Sequence, residues 1–226
     1  MEPTRAPRVK ICCIGSVAEA RMAIQSGASA LGLVSAMPSG PGVISEAAIA
    51  EVAATVPPPI GTFLLTSRQD VASIITQQQR CRTNCIQLCD CLTSGTARDL
   101  KSALPGISIV QVVHVTGPGS VDEACAVANS VDAILLDSGN PALKIKELGG
   151  TGRRHDWSLS REIRERVRVP IFLAGGLNEE NVAEAIEAVG PFGLDLCSGV
   201  RTDGKLDEGK LSRFFSAVGR ACAMNV

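Results

Sequence analysis

Short apolar runs alternate with longer amphipathic segments along this whole chain. The apolar runs predict strands at 8–14, 30–34, 60–65, 84–88, 107–113, 132–137, 169–174 and 193–197. Between and after them, segments with helical spacing predict helices at about 16–26, 45–55, 68–80, 94–103, 120–129, 158–167, 179–189 and 207–221. Boundary residues agree with several of these. Ser16 and Ser45 stand where N-caps belong, each with an early acid behind it. Gly27 follows the first helix as a C-terminal glycine. Asn178 precedes Glu179 and Glu180, an acidic first turn suited to the helix dipole.

Eight strand-then-helix units in series predict the α/β class and, within it, a closed (β/α)8 TIM barrel occupying residues 1–226 as a single domain. A doubly wound sheet rarely uses so many regular units in so short a chain. Two connections, 35–44 and 138–157, are long and rich in Gly and Pro. On a barrel both follow strands, at the C-terminal face where active sites are built.

Composition adjusts this picture only a little. The chain is 45% hydrophobic with 3% aromatic residues and no tyrosine, so the core is aliphatic. Twenty-two basic and 23 acidic side chains are interspersed, which argues against nucleic acid as the main partner. No apolar run is long enough to span a membrane. Nine cysteines, an odd number scattered along the chain without a signal peptide, are read as reduced thiols in the cytoplasm. Cys81, Cys85, Cys89 and Cys91 lack the spacing of a metal site and are read as incidental thiols, with no metal. Nothing here assigns an oligomeric state.

The chemistry is expected at strand ends. Residues 134–138 carry one carboxylate, Asp137, to the end of an apolar run, and residues 9–14 carry Cys12 and Cys13 in the same way. Alternation puts only one of the two thiols on the barrel axis and cannot choose between them. Lys10 shares the face of Cys12, where it could hold a substrate anion or favour the thiolate. Gly175 and Gly176 close the seventh strand, and Ser198 and Gly199 close the eighth. On adjacent strands, such glycines let backbone amides approach an anion and predict a phosphate cup. Gly150 lies in the glycine-rich loop that follows Asp137 and is a candidate for substrate contact. His114 and Arg201 are candidates for the same rim. Asp156 reads as an N-cap and Trp157 as a packing residue.

Taken in order, Lys10 to Cys12, Ser26 to Gly32, Ile86 to Leu88, Asp137 with Gly149 to Gly152, Asp156 and Trp157, Leu173 to Asn178, and Pro191 to Val200 resemble the phosphoribosylanthranilate isomerase family over nearly the whole chain. The resemblance implies an Amadori rearrangement of an N-phosphoribosylated arylamine without metal or organic cofactor. It implies an acid at Asp137, which protonates the furanose ring oxygen, and a base at Cys12, which removes the C2 proton. The implied partner is a small phosphosugar.

Against that family's usual pattern, Gly42 stands where an arginine holds the substrate's carboxylate. Cys13 stands in place of a glycine, Cys89 at a histidine-like position, and Arg201 in place of an acid. Arg153 or Arg154, in the loop after Asp137, is the expected substitute for the lost charge. A different aglycone, or a barrel that binds phosphometabolites without turnover, are the alternative readings. Retention of both Cys12 and Asp137 argues against the last.

Overall fold

The structure, a computed structural model, describes residues 6–224. Eight parallel strands close into a barrel in sequence order: β1 (Arg8–Ile11), β2 (Ala30–Val34), β3 (Gly61–Thr66), β4 (Cys85–Leu88), β5 (Ser108–His114), β6 (Ala133–Asp137), β7 (Ile171–Leu173) and β8 (Gly193–Leu196), with β8 pairing back to β1. Helices α1 (Val17–Gln25), α2 (Glu46–Thr55), α3 (Val71–Cys81), α4 (Ala97–Ala103), α5 (Gly119–Ala128), α6 (Trp157–Arg166), α7 (Val182–Val189) and α8 (Glu208–Met224) follow the strands in turn. After β8 come one 3-10 turn (Ser198–Val200) and a two-strand hairpin, β9 (Arg201–Thr202) with β10 (Lys205–Leu206).

Strand alternation divides the core in two. Outward residues such as Ile11, Leu31, Leu64 and Ile134 pack under the helices, while Phe63, Leu65, Val110, Val112, Leu135 and Phe172 fill the barrel. Because both faces are buried, the strands read as continuous apolar runs. Phe63 and Phe172 meet edge to face at 5.8 Å in the barrel interior.

The caps form largely as the sequence predicts. Ser16 and Ser45 accept from the backbone N–H groups of Glu19 and Ala48, and Gly27 turns left-handed at φ +111° after α1. The seventh helix differs. Asn178 and Asn181 exchange backbone-to-side-chain hydrogen bonds of 3.0 and 2.9 Å in a turn of their own, so α7 begins at Val182 instead of Glu179. A self-satisfied Asn pair competes with the helix for the same N–H groups. β1 also stops early, at Ile11, because Cys13 takes a left-handed φ of +61°.

Candidate active site

At the C-terminal ends of the strands lies a cavity open to solvent, placed where a barrel of this kind binds small ligands. Cys12 from β1's end, Asp137 from β6, Gly150 from the long sixth connection, Gly175 and Gly176 after β7, and Ser198 after β8 all line it. Six of the ten site residues that the sequence nominated therefore meet at one cavity, and Lys10, Gly199, Arg153 and Arg154 do not line it. Cys12 and Asp137 sit on strands three apart around the ring, facing one space.

Local packing explains why Cys12 points inward. Gly32 on β2 leaves the room: a Cβ there would stand 2.8 Å from the Cys12 Sγ and 3.1 Å from the Lys10 Nζ. Lys10 shares that face, as alternation requires, but it is fully buried and does not line the cavity. Its ammonium lies 2.9 Å from Asp195 and 5.2 Å from the centre of the Phe63 ring. Burial opposes its charge, and Asp195, followed by Cys12, overcomes that opposition and holds Lys10 above the ordinary lysine range. Burial in turn pushes the Asp195 carboxyl up against the pull of Lys10. A buried ammonium needs a counter-ion, so Lys10 answers Asp195 in place of a substrate anion.

Cys13 also reaches the cavity, since its left-handed backbone breaks the alternation. Its thiol donates to the Pro41 carbonyl at 3.6 Å. Gly42 sits against it: a Cβ on Gly42, itself at φ +81°, would come 2.5 Å from the Cys13 Cβ. The two departures at 13 and 42 are thus in direct contact, a side chain gained on β1's end and one absent on the facing loop. Hydrogen bonding first to Cys12 and then to Cys197, with burial added, pushes the Cys13 thiol up. Cys197 is held below the ordinary thiol range, first by the Cys13 donor, against burial and with help from Arg201. Cys197 lines the cavity and was not singled out from the sequence, where it looked like one more strand residue.

On the other side, Asp137 is buried and accepts from the Ser138 N–H at 2.7 Å. The sixth connection folds over it. Gly149 lies so close that a Cβ would sit 3.0 Å from the carboxylate, and Gly150 lies against Pro41. Ser39 donates to the Lys146 carbonyl at 2.7 Å, so the two long loops meet over the cavity. Lys146 itself pairs with Asp90 at 2.5 Å.

Gly175 and Gly176 adopt φ of +89° and +64°. A Cβ on either would run into the backbone of residues 152–154, at 2.8 Å from the Arg153 carbonyl for Gly175 and 2.9 Å from the Gly152 carbonyl for Gly176. Gly199 is pressed against the Leu177 carbonyl and does not itself line the cavity. The fold therefore needs these glycines for its own backbone contacts, whether or not an anion binds beside them.

Arg153 and Arg154 do not line the cavity. Arg153 pairs with Glu147 within its own loop and remains exposed. Glu147 first, and Asp137 more weakly, hold its guanidinium above the ordinary arginine value. Arg154 lies over the Trp157 ring at 3.5 Å and pairs with Glu184 of α7 at 2.6 Å. No Lys, Arg or His contributes to the cavity wall among the described residues. The Gln87 side-chain oxygen, buried on that wall, has no hydrogen-bond partner.

The remaining candidates are structural. His114 is buried behind the rim with Nε2 3.1 Å from the Cys89 carbonyl oxygen. Asp156 caps α6 by accepting from the Ser158 N–H, and Trp157 is buried in the outer core. His155, 2.7 Å from the Ser160 hydroxyl, is held below the ordinary histidine range by burial, against Asp137 and Asp156. Cys85 and Cys89 face the barrel interior and Cys81 the outer core. Arg201 does not line the cavity: its side chain packs against Glu19 and the end of β1.

Comparison with known proteins gives a consistent answer. Residues 9–217 match the family described as "PRAI: N-(5'phosphoribosyl)anthranilate (PRA) isomerase". The chain is 32% identical over 208 residues to N-(5'-phosphoribosyl)anthranilate isomerase of Methanocella arvoryzae, covering 92% of this chain and 95% of that one. It superposes on a crystal structure of phosphoribosyl anthranilate isomerase from Thermotoga maritima with a TM-score of 0.77 at 29% identity, covering 95% and 99% of the two chains. A second solved structure holds that enzyme with reduced 1-(o-carboxyphenylamino)-1-deoxyribulose 5-phosphate; the TM-score is 0.75 at 27% identity, with 95% and 99% covered.

Proposed function

This chain belongs to the N-(5'-phosphoribosyl)anthranilate isomerase family, and from that membership we propose how its own residues carry the reaction. It is an isomerase of tryptophan biosynthesis that converts N-(5-phosphoribosyl)anthranilate to 1-(o-carboxyphenylamino)-1-deoxyribulose 5-phosphate by an Amadori rearrangement. The observation that carries the assignment of roles is the convergence of Asp137 and Cys12 on a single cavity from separate strands, where the other carboxyl, Asp195, is paired with Lys10 and the further thiols are Cys13, Cys89 and Cys197.

Asp137 gives its proton to the furanose ring oxygen. The bond from that oxygen to C1 breaks, and the nitrogen lone pair forms a protonated Schiff base at C1. The Cys12 thiolate then takes the proton from C2, and the electron pair of that C–H bond makes the enolamine. Loss of the hydroxyl proton at C2 and gain of a proton at C1 give the 1-amino-1-deoxyketose. Each step moves a proton or an internal bond, so atoms and electrons balance within the substrate and two side chains. Burial of both groups and closure by the two long loops limit competition from water.

The 5-phosphate is assigned to the rim formed by Gly175, Gly176 and Ser198, which line the cavity, with Gly199 behind them; the left-handed backbone of the two glycines suits an anion held by amides. The aglycone then faces the loops around Pro41 and Gly150. No cation stands on that wall, so recognition of the carboxylate falls to Arg153. It is exposed, follows the cavity-lining residues 149–152 directly in the loop, and its side chain pairs with Glu147. Arg154 is committed to Trp157 and Glu184. Nine free cysteines support a reducing, cytoplasmic setting, and no helix among the described residues is long and apolar enough to cross a membrane.

Turnover of freshly prepared phosphoribosylanthranilate, followed by loss of its fluorescence, tests these roles. Wild type should convert it, while Cys12→Ser and Asp137→Asn should each lose about 10²- to 10⁴-fold in kcat. Undiminished activity in either folded variant removes that residue from its role.

A further inference from the structure

Arg201 is the first residue of β9, immediately after the turn that ends β8, and its side chain crosses to the end of β1. One Nη donates to the Cys13 carbonyl at 2.6 Å and the Cys12 carbonyl at 3.3 Å. The other donates to the Gly204 carbonyl at 3.0 Å and to Glu19 at 3.0 Å. Glu19, from the first turn of α1, is itself held by the backbone N–H groups of Gly15 at 2.9 Å and Leu206 at 3.0 Å. Lys210 of α8 fixes the Arg201 carbonyl at 2.6 Å. The guanidinium is 8% exposed and its carboxylate 20%. This is a half-buried, multiply bonded charge pair whose Nη groups are shared among Glu19, the Gly204 carbonyl and the carbonyls of Cys12 and Cys13.

The last two carbonyls belong to the residues that carry the thiols. Cys13 is held left-handed, a conformation disfavoured for a residue with a Cβ. It persists only where the surroundings over-determine it. We infer that Arg201, anchored by Glu19, is the positioning residue for the catalytic base: by gripping two consecutive carbonyls it fixes the turn that sets the Cys12 thiol in the cavity. This rests on the reading of Cys12 as the base. Arg201 touches no cavity space itself, and its action passes through backbone. A planar fork can span two carbonyls and a carboxylate together, whereas a lysine ammonium is a single point.

The test is Arg201→Lys, measured for kcat, KM and the isotope effect with substrate deuterated at C2. Misplacing a base costs about 10- to 100-fold in kcat. That loss is expected with KM changed by less than about twofold, since none of the wall is altered, and with an isotope effect at least as large as wild type. A purely structural role would lower the folded fraction and leave kcat per folded enzyme and its isotope effect alone. Unchanged kcat in folded Arg201→Lys, or an isotope effect falling toward unity, overturns the inference. If Arg201→Lys does not fold, Glu19→Gln loosens the anchor while keeping the guanidinium, and the same signs are read there. Cys12→Ser separates the two readings. An active Cys12→Ser removes the base and this inference together; an inactive one beside a wild-type-like Arg201→Lys removes the positioning role alone.

Discussion

The two sides of the cavity are built on opposite principles. On the β1–β8 side, Cys12 and Cys13 are buried, the half-buried pair of Arg201 and Glu19 bonds their backbone, and the buried pair of Lys10 and Asp195 forms the floor. On the β2–β6 side, Asp137 is covered by two glycine-rich loops, and the arginines of the second are exposed and paired in ways that solvent can undo. The first side fixes where a proton leaves; the second leaves room to adjust what is attached to the sugar. The contact between Gly42 and Cys13 is where the two sides touch.

The strongest way to break this contrast is to attack the floor of the rigid side. Lys10→Met leaves Asp195 buried without its counter-ion, and losing one partner of a buried pair costs roughly 3–5 kcal/mol. Urea unfolding at neutral pH should show that loss, and adding Asp195→Leu should restore much of it. A Lys10→Met protein as stable as wild type would mean that the pair does not hold the floor.

A smaller effect sharpens the contrast through pH. Burial disfavours the Glu19 carboxylate, but Arg201 and the amides of Gly15 and Leu206 outweigh it and hold Glu19 below its ordinary range. A lowered folded pKa contributes stability that is present above the unfolded value, ~4.3, and lost as pH falls through the folded one. Glu19→Gln should therefore be less stable than wild type at pH 7 and nearer to it in acid. A constant difference across that window would show that the carboxylate's charge is not what the clamp uses.

Much of the barrel was legible because each strand is buried on both faces and each helix on one, so apolar runs and amphipathic spacing alternate without ambiguity. Ser16 and Ser45 were legible for the same local reason: their partners lie three residues on. The start of α7 was misread, because Asn178 satisfies Asn181 before the helix begins. At the site, Cys12, Asp137 and the glycines stood at strand ends, and strand ends define the face. The partners were not legible. Arg201 meets Glu19 182 residues away, Lys10 meets Asp195 across the β1–β8 closure, and the left-handed turn at Cys13 lies against that distant clamp. Arg153 and Arg154 looked equivalent in sequence; Trp157 and Glu184 hold the second away from the cavity.

The most direct test of a fixed base beside an adjustable aglycone rim compares kcat/KM for phosphoribosylanthranilate with that for N-phosphoribosylaniline, which lacks the carboxylate. In wild type the carboxylated substrate should be favoured by about tenfold or more, the worth of one charge-assisted hydrogen bond. Arg153→Ala should erase most of that preference through KM, Arg154→Ala should leave it within about twofold, and Arg201→Lys should slow both substrates alike. A preference unchanged in Arg153→Ala, or one altered by Arg201→Lys, would contradict the division of labour proposed for the two sides.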